Sequence, residues 1–270
     1  MPKHRHANRN AQQDRSGFGK VKGRNENKVM QGQRQIAEEY VTDNQDYRLD
    51  WFQPTEEQKD IIYSMCVNDL TSVQAPSGCG KSTTVIWQGL NDLKRGVYKT
   101  IIFVKTPDES GDDQIGYLKG EAESKLEPHF ESMRGIFHQF MSPEKLRMEE
   151  RRGRIQFKIP NFLKGATLDN ALIIFDESQS NTPPTIKLVT ERAGLDSKVV
   201  LLGDKSQRYS VKKRADGFTH FNKMITYVDD EGNRVSKEPT MGYIELSTSG
   251  NMRSDLSRRI TELYEENQDW

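Results

Sequence analysis

Ser72–Thr84 reads SVQAPSGCGKSTT, and how that stretch is parsed decides the fold. Leu70–Val73 is a short apolar strand; Ala75, Ser77, Gly78 and Gly80 make a turn of small residues; Lys81 and Ser82 open a helix. Backbone N–H groups at such a helix start point into one concavity and hold anionic oxygens, so the stretch predicts a phosphate-binding loop. Within it Ser77, Gly78, Cys79, Gly80, Lys81, Ser82 and Thr83 are the expected phosphate contacts. Lys81 offers a point charge to β- and γ-phosphates, and the Ser82 hydroxyl suits Mg²⁺. The pattern G-x-x-x-x-G-K-S/T asks for glycine at position 75, where this chain has Ala75. Alanine is tolerable there if its φ is negative.

The 270 residues suffice for a large α/β core. Net charge is zero, but unevenly spread: residues 1–35 hold nine Lys/Arg and two acids, leaving 31 basic and 38 acidic residues in the rest. That segment has almost no large apolar side chains and cannot offset its ordering entropy, so a disordered basic arm is expected. It fits either a nucleic-acid or polyanion tether or a plain solubilising tail. His4 and His6 lack the further ligands that a metal site needs. Two cysteines, Cys66 and Cys79, fit a reducing compartment. No apolar run reaches transmembrane length and no signal-peptide core opens the chain, so a soluble, cytoplasmic protein without a membrane partner is expected.

Outward from the loop, residues 33–50 read as a helix with Ile36 and Tyr40 on one face. Thr55 then caps a second helix, with Ile61, Ile62 and Met65 on its apolar side. Gln58 is either an ordinary polar residue at that helix start or an amide matching the two-point edge of adenine. Past the loop helix, TIIFVK (100–105) is a buried parallel strand ending in a positive charge. Residues 108–150 read as an inserted segment with an acidic, glycine-punctuated loop and an amphipathic stretch from Phe130 to Met141. Arg151, Arg152 and Arg154 suit a solvated helix end, or arginines closing over phosphates.

ALIIFDE (171–177) carries two carboxylates to a strand end. Neighbouring side chains on a strand point opposite ways, so Asp176 and Glu177 are expected to divide the work: metal for the first, attacking water for the second. KVVLLGD (198–204) is another buried strand, and Gln207 beyond it is placed to sense a γ-phosphate. Met224–Val228 and Val235 flank an acidic turn as a β-hairpin decorating the edge of the core sheet, and Tyr243–Leu246 is a further strand. The predicted fold is therefore α/β, a P-loop NTPase with a mostly parallel sheet flanked by helices and a hairpin near the C-terminus.

With these motifs in order, the chain resembles the PhoH family of ATPases, whose core is similar to the first motor domain of superfamily 1 helicases. The resemblance covers roughly residues 50–265. It rests on the loop, GDDQIGYLKGEAESKLEPHF, IPNFLKGATLDNALIIFDES, and SKVVLLGDKSQ followed by DGFTHF. It implies one ATPase domain over 36–270 and an ATP site with Mg²⁺. In that site Gln58 contacts adenine, Lys81 and Ser82 serve phosphate and metal, Asp176 the metal, Glu177 the water and Gln207 the γ-phosphate. Arg253 is implied as an arginine finger acting on a neighbouring subunit. The family usually has threonine where this chain has Ser82, which keeps the hydroxyl.

The expected activity is Mg²⁺-assisted ATP hydrolysis by an oligomeric ring, a hexamer as the resemblance implies. RNA is the expected partner of an RNA-stimulated ATPase or helicase. A nucleotide-gated scaffold with slow hydrolysis and a phosphotransferase are the rival readings.

Overall fold

The computed structural model describes residues 47–107, 121–205, 216–247 and 254–266. The expected arm (1–35), Gln207 and Arg253 lie outside them, as do residues 33–46 of the first expected helix; Tyr47–Leu49 are not helical. The described elements are α1 (Glu56–Val67), β1 (Leu70–Gln74), α2 (Lys81–Arg95), β2 (Thr100–Lys105), α3 (Glu121–Phe137), α4 (Pro143–Arg151), β3 (Ile155–Lys158), β4 (Ala171–Asp176), α5 (Pro183–Thr190), β5 (Lys198–Gly203), α6 (Gly217–Ile225), β6 (Thr226–Val228), β7 (Arg234–Ser236), β8 (Met241–Glu245) and α7 (Asp255–Glu266).

Six strands form one sheet in the order β3-β2-β4-β5-β1-β8, every pairing parallel. Parallel strands need both faces covered, which is why β1 and β4 are buried along their whole length. Alternation along each strand divides the core in two. Val73, Ile101, Phe103, Leu172, Ile174, Val200 and Leu202 pack under α1–α4, which contribute Ile61, Val85, Ile86, Leu90, Phe137 and Leu146. Leu70, Ile102, Val104, Ile173, Phe175, Val199 and Leu201 pack under α5 and α6, which contribute Ile186, Val189, Phe218 and Ile225. Each fully buried side chain of this size stabilises by about 1.5–3 kcal/mol relative to exposure.

The helices start where local chemistry dictates. Thr55 and Gln58 form a reciprocal capping box on α1, and Ser142 caps α4 with Pro143 as its first residue. α2 ends at Gly96, whose φ of 75° lets its N–H return to Asp92 and Leu93. Within the expected inserted segment, residues 121–150 supply α3 and α4, and Met133, Phe137 and Phe140 join the first core cluster. Residues 108–120 lie outside the described ones.

Two expectations change. The hairpin β6–β7 is a separate two-stranded antiparallel sheet, with no ladder to the six-stranded one among the described residues, and Met224 and Ile225 lie in the last turn of α6 instead of starting a strand. The strand that extends the main sheet is β8, paired in parallel with β1. The arginine cluster precedes β3, at the amino edge of a parallel sheet and so opposite the phosphate loop. There Arg154 ion-pairs with Glu149 at 3.2 Å and donates to the Tyr47 hydroxyl, which ties α4 to the core and does not suit closing over phosphates.

Candidate functional site

In a parallel sheet all strands finish at one edge, and the register aligns the candidates there. Gln74 stands opposite Gly203 and Glu245, and Lys105 opposite Asp176. β5 lies between the loop strand and the acidic strand, so its end, Gly203-Asp204, sits in the middle. A Cβ on Gly203 would come within 2.4 Å of the Phe218 ring, so glycine permits the close approach of α6.

The loop after β1 turns on two glycines. Gly78 (φ 85°) and Gly80 (φ 72°, the residue before α2) adopt a backbone conformation that other residues resist. Ala75 is not among the positive-φ residues; it is fully buried and its N–H donates to the Gly203 carbonyl at 3.0 Å, so it continues the strand. The first glycine of the pattern is not required here. Lys81 reaches back to the Pro76 carbonyl at 3.5 Å, and Ser77 and Thr83 are half-buried on the loop and the first turn of α2.

Gln58 is 2% exposed. Its Oε1 accepts from the Thr55 N–H and its Nε2 donates to the Cys79 carbonyl, both at 3.0 Å. The amide expected to contact adenine thus braces the phosphate loop from the start of α1, the position where a Thr-x-x-Gln capping box engages it. Cys79 is buried, and its thiol donates to the Ser247 carbonyl at 3.5 Å. Ser247 also donates to the Glu57 carboxylate at 2.6 Å. The loop is therefore held by both the helix before it and the end of β8.

At the end of β8, burial works to raise the Glu245 carboxyl, but hydrogen bonds from Lys205 and Tyr243 outweigh it and hold the group below its ordinary range. The Tyr243 hydroxyl is pushed well up, by burial first and then by the Glu245 charge.

Asp176 is 6% exposed and accepts from the Ser82 hydroxyl at 3.1 Å, across 94 residues of sequence. A hydroxyl and a carboxylate oxygen meeting beside a phosphate loop are the hard ligands that suit Mg²⁺, which usually takes one or two protein groups and completes its shell with phosphate and water. No cluster of three His, Cys, Asp or Glu that could hold a metal ion occurs among the described residues.

Glu177 departs from the expected strand alternation. It has left the strand and lies in the left-handed region (φ 52°, ψ 40°), just before a 3-10 turn at Ser178–Ser180. Such a backbone costs a non-glycine residue about 1 kcal/mol and needs support. The Glu177 N–H donates to Asp176 Oδ1 at 2.9 Å, and Asn181 Nδ2 donates to the Glu177 carbonyl at 3.1 Å. The side chain then meets a residue that the sequence reading did not single out. Lys105 Nζ, at the end of β2, lies 2.6 Å from Glu177 Oε1. The only hint in the sequence is a lysine ending a buried strand at the edge where ALIIFDE also ends.

A sequence profile described as PhoH-like protein matches residues 53–265. The PhoH-like protein of Bacillus subtilis (strain 168) is 28% identical over 208 residues, covering 77% of this chain and 62% of that protein. The PhoH-like protein of a Synechocystis species is 27% identical over 208 residues, covering 77% and 60%. The chain thus spans about 60% of the length of these relatives. Among solved structures, the large terminase ATPase domain of a Thermus phage aligns over 82% of this chain and 90% of its own, at 14% identity and a TM-score of 0.46.

Proposed function

We propose that the chain, which belongs to the PhoH-like family, binds ATP at its phosphate loop and hydrolyses it by in-line attack of water on the γ-phosphate. The observation that carries this reading is the meeting of Ser82 and Asp176 at 3.1 Å, with Glu177 beside them turned onto Lys105 instead. The loop N–H groups and Lys81 hold the phosphates. Glu177 accepts a hydrogen bond from the attacking water and takes its proton while the new O–P bond forms. The bond from the γ-phosphorus to its bridging oxygen breaks, leaving ADP and phosphate. Mg²⁺ bound by Ser82 and Asp176 would supply neutralising charge at the β- and γ-phosphate oxygens.

The same proposal makes Gln207 the γ-phosphate sensor, Arg253 the finger reaching a neighbouring subunit of a ring, and Gln58 the adenine contact. It divides the chain into a basic arm (1–35) and one ATPase domain (36–270). RNA is the proposed partner, supported by the family resemblance and by nine basic residues in the arm. No described helix is long and apolar enough to cross a membrane.

The test is phosphate release by wild type and Lys81→Ala, each with and without single-stranded RNA or DNA. We expect Lys81→Ala to lose about a hundredfold or more, and RNA to raise wild-type turnover. Turnover that survives in Lys81→Ala sinks the ATPase reading; turnover indifferent to RNA sinks the partner.

A further inference from the structure

The corner formed by the ends of β2 and β4 is built more fully than a metal ligand and a neighbouring carboxylate require. Two consecutive residues of β2 and its exit reach across to Glu177. Lys105 takes its side chain at 2.6 Å. Thr106 donates to Asn181 Oδ1 at 2.5 Å, and Asn181, 3% exposed, donates in turn to the Glu177 carbonyl. The Asn181 carbonyl also accepts from the Gly217 N–H at the head of α6, at 2.7 Å, so this asparagine is fixed from a third side. The backbone of Glu177 is thus locked in the left-handed region, and one of its carboxylate oxygens is locked too. Its other oxygen, Oε2, carries no hydrogen bond or ion pair among the described residues.

We infer that Lys105 is a positioning residue for hydrolysis: it holds Oε1 of Glu177 so that Oε2 is presented to the attacking water. The inference rests on the ATPase reading above and adds to it the group that aims its base. A carboxylate accepts at both oxygens, so an ammonium on one leaves the second able to take a hydrogen bond from water. A glutamate has three side-chain torsions; fixing its head before substrate arrives removes disorder that the reaction would otherwise have to overcome. The pair lies at the sheet edge, with the lysine side chain 17% exposed and the glutamate 33%, so solvent reaches the carboxylate while the lysine stays confined. Lys105 stands in register with Asp176, so one strand end aligns with both carboxylates.

The test compares Lys105→Met, Lys105→Arg, Glu177→Gln and the double variant Lys105→Met/Glu177→Gln. The readouts are steady-state phosphate release, equilibrium binding of a fluorescent ATP analogue without divalent metal, and thermal melting. Misplacing a reacting group by an ångström costs up to about a hundredfold, so Lys105→Met is expected to lower kcat by roughly tenfold or more. KM for ATP, analogue affinity and melting temperature should stay near wild type. Lys105→Arg should recover part of the loss, because it keeps the charge at the wrong length. In the Glu177→Gln background Lys105→Met should change nothing further, since a residue that acts through another has no separate effect.

A Lys105→Met chain that keeps wild-type kcat overturns the inference. So does one that raises KM at unchanged kcat, which would make Lys105 a phosphate contact, or one whose loss adds fully to that of Glu177→Gln. A parallel fall in melting temperature and activity, with Lys105→Arg no better than Lys105→Met, assigns the pair to structure and overturns it as well. These outcomes are separate from failure of the ATPase reading, which shows as wild-type phosphate release that Lys81→Ala leaves intact.

Discussion

Two of the lysine–glutamate pairs among the described residues, Lys145–Glu149 and Lys105–Glu177, mark the two sides of what a charge pair can do. Lys145 and Glu149 sit one turn apart on α4, 2.9 Å from each other, with side chains 6% and 0% exposed. Glu149 has its second oxygen 3.2 Å from Arg154, and Lys145 lies over the Tyr47 ring at 5.4 Å. That carboxylate is fully buried between two cations, Lys145 and Arg154, yet neither of its oxygens makes a hydrogen bond of good geometry among the described residues, so charge alone holds α4 against the core there. Lys105 and Glu177 lie at the ends of two neighbouring strands, are shorter at 2.6 Å, and leave one carboxylate oxygen without a partner among the described residues at an accessible edge. Full burial suits the first pair to fastening; partial exposure, and a second oxygen without a partner among the described residues, suit the second to the proposed role of a working group. Short distance alone would have ranked them the other way.

That contrast can be broken by exchanging the kind of damage each glutamate causes. Glu177→Gln should give the largest effect, lowering kcat by about 10²–10⁴-fold with ATP-analogue binding retained; a variant that still turns over normally ends its role. Glu149→Ala should instead cost about 3–5 kcal/mol of stability, because it takes the carboxylate from the buried Lys145 and the half-buried Arg154. Chemical denaturation measures this, and unchanged kcat in the fraction still folded would mark the two pairs as different in kind.

Asn181→Ala should come next, with roughly 1–3 kcal/mol lost as its side-chain bonds to the Glu177 carbonyl and the Thr106 hydroxyl go, and a several-fold lower kcat as Glu177 leaves its left-handed conformation. Stability loss without any change in kcat would show that the backbone lock does not serve catalysis.

The smallest effect calibrates a carboxylate whose burial outweighs its cations. Asp92 is raised above its ordinary value by burial, an effect only partly offset by Gln88, Arg95 and Lys198. Protonation therefore favours the folded chain. The stability tied to this group is complete below the unfolded pKa of about 4 and falls as pH rises through the folded value. Asp92→Asn should melt with wild type near pH 4 and slightly above it near pH 7; a difference that does not vary with pH would remove the link.

Much of the fold was legible because its signals are local. TIIFVK, ALIIFDE and KVVLLGD each mark a buried strand, and SGCGKS marks a strand-to-helix turn with glycines where φ is positive. Thr55 and Gln58 announced the start of α1, though their spacing also spelled a capping box, which accounts for the bracing of Cys79. The rest depends on partners far apart in sequence. Nothing local in Met241–Glu245 says that it pairs with β1 while the nearby hairpin does not. The Lys105–Glu177 pair has no spacing rule, because a sheet joins any two strand ends that its order makes neighbours. The left-handed backbone of Glu177 was hidden for a different reason: the residue type argues against it, and the Asn181 that supports it is itself fixed by distant partners, Thr106 and Gly217.

The position of β1 also governs when the molecule is finished during its own manufacture. Leu70 pairs with Val199 on one side and Met241 on the other, so the strand that launches the loop is flanked by segments made much later. At about 5–20 residues per second, the ribosome takes on the order of ten seconds or more to deliver β8 after β1 has been made. Until then the loop strand is an uncovered sheet edge, and the Ser247 contacts to Cys79 and Glu57 have not formed. The strand that launches the loop is therefore among the first to be translated and the last to have both its neighbours in place.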